Sequence, residues 1–98
     1  MRRHVLLSEA VNEIAEAFQW YEFRSAGLGR RFVDAVTGVV EIACETPAIF
    51  PAAQDNTRRA RVLGFPFSVY FAVELDVVLV YAVFHERRNP AARGGRRR

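Results

Sequence analysis

The sequence predicts an α+β domain of order β-α-α-β-β-β, a helical hairpin packed on one face of an antiparallel sheet. Three observations carry this reading. Apolar residues recur at a spacing of three and four through two stretches before Pro47. After Thr57 the apolar period falls to two. Only residues 25–29, with two glycines among them, part the two helical stretches, so the helices must fold back on each other.

Val5, Leu6 and Leu7 form a short β-prone opening. Ser8 offers an N-cap oxygen to the helix that follows, and Glu9 suits the positive end of its dipole. Val11, Ile14, Ala15, Phe18 and Tyr21 mark the apolar stripe of a first helix running from Glu9 to about Arg24. In the second helix Leu28, Phe32, Ala35, Val36, Val39 and Ala43 share a face. Gly38 within it is expected to let the first helix approach closely. Thr46-Pro47 ends it, because proline disfavours α geometry in the residue before it.

Residues 48–56 read as a loop with Phe50 tucked beneath it. Ala60 and Val62 then alternate with Arg59 and Arg61 in a first strand of the new period. Phe67, Val69, Phe71 and Val73 alternate with Ser68, Tyr70 and Ala72 in the next. Residues 74–76 turn tightly into a last strand over 77–84. Strict alternation puts Val78, Val80, Ala82 and Phe84 on one side of that strand and Val77, Leu79, Tyr81 and Val83 on the other. Both sides are apolar. A single helical hairpin covers one sheet face, so the other needs the Phe50 loop, the tail or a second protein over it. Residues 1–90 are read as one domain and 91–98 as a basic, flexible tail.

All 14 positive charges of the 98-residue chain are arginine, and they are unevenly placed. Residues 1–57 hold 5 Arg against 8 acids, while 58–98 hold 9 Arg against 3 acids. That skew points to an anionic partner, either nucleic acid or an acidic protein segment. Cys44 is the one cysteine, which excludes an internal disulfide and a CxxC metal site. His4 and His85 lack metal-ligand spacing, so neither a metal nor another cofactor is expected. The apolar run at 77–84 is too short to span a membrane, and residues 1–7 are too short for a secretory leader. A cytoplasmic protein is expected.

Arg59, Arg61, His85, Arg87 and Arg88 form the candidate constellation, with Tyr70 on the polar side of its own strand. Arginine, tyrosine and histidine on a sheet suit phosphate binding and base stacking. A metal-free ribonuclease needs a base, an acid and a cationic clamp. His85 and Glu86 adjoin, but neighbours on a strand face opposite ways and cannot share one site. The same arginines equally suit a solvated edge that resists aggregation.

Several fragments, taken together in order, resemble the RelE/ParE toxins of bacterial type II toxin–antitoxin systems. They are Ser8-Glu9-Ala10, Ala17-Phe18-Gln19-Trp20-Tyr21-Glu22 and Gly27-Leu28-Gly29-Arg30-Arg31-Phe32, then Phe50-Pro51. Arg58-Arg59, Phe65-Pro66-Phe67-Ser68-Val69-Tyr70-Phe71 and Val83-Phe84-His85-Glu86-Arg87-Arg88-Asn89-Pro90 complete the set. The resemblance implies a plasmid-stabilising toxin held by a cognate antitoxin. Arg58, Arg59, Arg61, Tyr70, Tyr81, Arg87 and Arg88 would then bind target or antitoxin. RelE-like members cleave mRNA on the ribosome; ParE-like members poison DNA gyrase. The long helices, and the absence of lysine for a lysine-rich nuclease site, place this chain nearer the ParE branch, acting by binding rather than as an enzyme. The alternatives are a ribosome-dependent endonuclease using Arg59, Arg61, His85 and Arg87, and a non-toxic binding module of the same fold.

Overall fold

The computed structural model describes residues 2–87; Arg88 and the tail expected over 91–98 lie outside them. Two layers are present. β1 (Arg3–Leu6) leads into α1 (Ser8–Arg24) and α2 (Leu28–Glu45). A short 3-10 turn at Pro47–Ile49 precedes β2 (Arg58–Arg61), β3 (Phe67–Glu74) and β4 (Val77–His85). The sheet order is β1-β4-β3-β2. The predicted antiparallel pairing holds for β2–β3 and β3–β4, but β1 lies parallel to β4, so the sheet is mixed. The long crossover through both helices permits that parallel return.

Both helices begin and end close to the predicted points, with details that differ. Ser8 is the first helical residue rather than the cap; Leu7 holds the cap position and makes no side-chain bond there. The buried stripe of α1 is Ala10, Ala17 and Tyr21 with Ile14 packed beside them, while Val11 and Ala15 are exposed. The stripe is thus rotated toward the small residues. In α2 the predicted face holds: Phe32, Val36, Val39 and Ala43 are buried.

The close approach between helices falls at Gly29, not at Gly38. A methyl group at Gly29 would lie 2.6 Å from the Phe18 carbonyl oxygen, whereas one at Gly38 would meet open space. Glu22 fixes this junction. Its carboxylate accepts the Gly27 and Gly29 amides at 2.8 and 2.9 Å, supplying acceptors for the free N–H groups at the start of α2. Gly27 itself sits at φ 88°, where side chains are strained.

The core lies between the hairpin and one sheet face. Tyr21, Phe32, Phe65 and Phe67 pack ring against ring with centroids 4.9 to 6.1 Å apart. Phe50 covers the far end, its ring perpendicular to Phe71 at 5.8 Å.

The last strand departs from strict alternation. Tyr70 pairs with Ala82 and Phe71 with Val80, leaving Tyr81 as an extra residue in β4. Below it Val78 and Val80 face the helices; above it Val83 joins them in the core in place of the expected Ala82. Ala82 instead shares the far face with its partner Tyr70. On that face Ser68, Tyr70, Ala72 and Ala82 are buried too, so its middle leaves little apolar surface for a second protein to cover. Exposed apolar area appears at the β1 edge, where Val5 is 43% accessible.

The two glycines should answer differently to alanine. Gly29→Ala is expected to lose about 2 kcal/mol or more through overpacking. Gly38→Ala should gain up to about 1 kcal/mol of helix propensity. Urea unfolding of the two variants beside the parent checks both.

Candidate functional site

The predicted cationic constellation is divided by the sheet. Arg59 and Arg61 stand opposite Tyr70 and Ser68 on the face away from the helices. Arg59 reaches Glu86, with Nη1 3.6 Å from a carboxylate oxygen. Ser68, fully buried, donates its hydroxyl proton to the other oxygen of Glu86. Glu86 is itself held in place by its backbone N–H, which donates to the Pro66 carbonyl at 2.9 Å. Tyr70 is buried with its ring 5.8 Å from Phe84. A carboxylate therefore sits within the cationic group and offsets the charge that Arg59 would offer a phosphate.

His85 lies on the other face. Its ring packs edge-on against Phe67 of the core at 5.1 Å. The Arg87 N–H donates to His85 Nδ1 at 3.1 Å, so a neutral ring carries its proton on Nε2. The Arg87 residue is exposed. Arg58 is engaged locally, Nη1 donating to the Phe50 carbonyl at 2.8 Å, which ties the loop to β2. Arg61 is exposed on the edge strand, and Tyr81 occupies the bulge. Arg88 lies outside the described residues.

His85 instead helps line an open cleft of about 460 Å³ between α1 and the end of β4, with Glu13, Glu16, Trp20, Phe67 and Phe84. Two carboxylates line it, and they repel a phosphate group. Glu13 is positioned by the strand, its Oε1 accepting the Val83 amide at 2.7 Å. Trp20 is 46% accessible with the Arg24 guanidinium 4.5 Å from its ring centroid, and Phe23 one turn further on is 92% accessible. These α1 residues were missed in the sequence reading. The available signal was their place off the buried stripe: large aromatics on the solvent side of a helix need another reason to be there.

Cys44 is 1% accessible at the end of α2, and burial pushes its thiol pKa up. That favours the unreactive protonated form. Among the described residues no group of three or more His, Cys, Asp or Glu side chains is placed to hold a metal ion. Nor is any helix among them long and apolar enough to cross a membrane.

Residues 5–90 match the profile of the family described as ParE toxin of type II toxin-antitoxin system, parDE. No curated protein matches the sequence. Among solved structures, one chain of a chromosomal ParDE toxin–antitoxin system from P. aeruginosa superposes with a TM-score of 0.62 at 16% identity. The match covers 87% of this chain and 96% of that one. At that identity the likeness speaks for the fold; the profile match spans nearly the whole sequence and settles membership. The chain belongs to the ParE toxin family of type II toxin–antitoxin systems.

Two measurements check the site as described. Ser68→Ala removes a buried donor from Glu86 and should destabilise the fold by about 1–3 kcal/mol. Cys44 should stay unmodified by a thiol reagent at pH 8 in the native protein and react fully once it is unfolded.

Proposed function

We propose that the chain is a growth-inhibiting toxin that acts by binding DNA gyrase and is neutralised by a cognate antitoxin. Membership of the ParE family supports the general reading. The observation that favours binding over RNA cleavage is the separation of His85 from Arg59. The imidazole lies with Phe67, Glu13 and Glu16 on the helix side, while Arg59 shares Glu86 with Ser68 on the other. A cleaving site needs its base and its cationic clamp within reach of one phosphate. These residues do not converge on one.

The exposed hairpin supplies the contrasting feature. The 17-residue α1 carries Trp20, Phe23 and Arg24 outward. Aromatic and arginine anchors of this sort dominate protein–protein contacts. These exposed side chains support a target-binding surface on α1 rather than on the sheet arginines. The chain operates inside the cytoplasm, where such a target is found.

The purified protein should inhibit gyrase supercoiling in a dose-dependent manner, and its antitoxin should restore the reaction. Phe23→Ala should weaken inhibition about tenfold or more without lowering the melting temperature. Codon-positioned cuts in translated mRNA, lost in an Arg61→Ala, His85→Ala double variant, would instead establish the endonuclease reading. Expression without harm to the host, with neither activity, would leave the non-toxic binding module.

A further inference from the structure

The cleft of about 460 Å³ between α1 and the end of β4 is left unused by the reading above. Its lining combines two features. Glu13 and Glu16, one turn apart on α1, make it negative, and Trp20, Phe84 and His85 give it aromatic walls. Glu16 is exposed and forms no ion pair among the described residues. Trp20 is 46% accessible and already holds one guanidinium, that of Arg24, at 4.5 Å from its ring centroid. Carboxylates beside an aromatic face suit arginine, whose planar head pairs with the first and stacks on the second.

The chain supplies such a segment itself. Residues 88–98, outside the described part, hold five arginines and no acid. They start at the rim of the cleft. The Arg87 amide donates to Nδ1 of His85 at 3.1 Å, and His85 lines the cleft. Residues 86 and 87 form a turn directly after β4, so the backbone does not run straight on from the strand. An extended chain covers roughly 3.3 Å per residue, so the six residues from Arg87 to Arg93 reach about 20 Å, enough to cross the cleft. A tether this short holds the arginines at an effective concentration on the order of millimolar. That offsets the small contribution of each exposed ion pair. A separate partner with the same charges lacks this advantage, and a nucleic acid is repelled by Glu13 and Glu16.

We propose that residues 88–98 fold back as a basic strap on this cleft. Their arginines pair with Glu16, in the field of Glu13, and stack against Trp20. The basic end of the chain then meets the acidic α1, which has four Glu against one Arg. Docked there, the strap covers Trp20 and competes with a target for that part of α1. The docking stands without the target reading above; the competition rests on it.

The test uses the full chain with a nitroxide on Gly95→Cys, beside the same variant carrying a diamagnetic analogue. Cys44 is buried and stays unlabelled. Trp20 is the one tryptophan, so its emission reports on the cleft. At low salt the nitroxide should quench about half of that emission or more, as a largely occupied tethered site requires. In about 1 M salt, which screens charges beyond about 3 Å, the emission should return. Glu16→Arg, on the exposed side of α1, should restore it at low salt with the melting temperature unchanged. The tail variant Arg93→Glu, Arg97→Glu should do the same. Equal emission from the nitroxide and diamagnetic forms would overturn the proposal, as would quenching indifferent to salt and to both charge reversals. Quenching that rises with protein concentration would assign the tail to the cleft of a second copy and overturn it too. In a supercoiling assay the tail variant should inhibit gyrase at about threefold lower concentration, because a covered site binds in proportion to the fraction left open. Equal potency would overturn the competition. No inhibition by either chain would overturn the target reading, while the emission still decides the docking.

Discussion

One extra residue in β4 governs how the chemistry of this molecule is distributed. With Tyr81 inserted between Val80 and Ala82, every later side chain of the strand changes face. Val83 enters the core, and His85 follows it to the helix side. Glu86 is then turned toward Ser68 and Arg59. The carboxylate of Glu13 meets this stretch from α1. β1 pairs with β4 only as far as Val80, and just beyond it Glu13 accepts the Val83 amide that a longer β1 would have taken. A helix side chain thus continues the work of an edge strand. A charge-assisted bond of that kind satisfies a backbone donor that would otherwise face the helix layer unpaired.

The helical hairpin is set with equal economy. Glu22 bonds two amides at the start of α2, and Gly29 lets the backbone of α1 come within contact of α2. Those two features fix the spacing on which the rings of Tyr21, Phe32 and Phe67 depend. With the inner side of the hairpin committed to the core, Trp20 and Phe23 are left facing outward.

Most of the architecture was legible in the sequence because each element has a period that only one geometry satisfies. The second helix shows this best, since Phe32, Val36, Val39 and Ala43 are all buried as their spacing requires. The pairing of Ala60 and Val62 against Arg59 and Arg61 held for the same reason. What failed was what depends on a partner element. Val11 and Ala15 fit a helical stripe as well as Ala10 and Ala17 do, and only the position of the sheet chooses between them. Nothing in the run from Val77 to Phe84 marks Tyr81 as a bulge, because both faces of the strand are apolar and either register buries them. The parallel pairing of β1 is likewise a property of the crossover, not of residues 3–6. The site inherited these failures. His85 and Arg59 looked compatible only while alternation was unbroken, although the statement that His85 and Glu86 face apart was sound.

The basic half of the chain therefore needs a narrower interpretation than its net charge suggested. Of the strand arginines, Arg58 bonds a loop carbonyl and Arg59 shares a carboxylate, so both are engaged within the fold. Arg61 and Arg87 remain exposed at the sheet margin. Exposed cations in water act over about a Debye length and contribute little each. Charges so placed affect the rate of encounter with a partner more than affinity. The large exposed apolar side chains lie elsewhere, at Trp20 and Phe23 on α1 and at Val5 and Leu6 on β1.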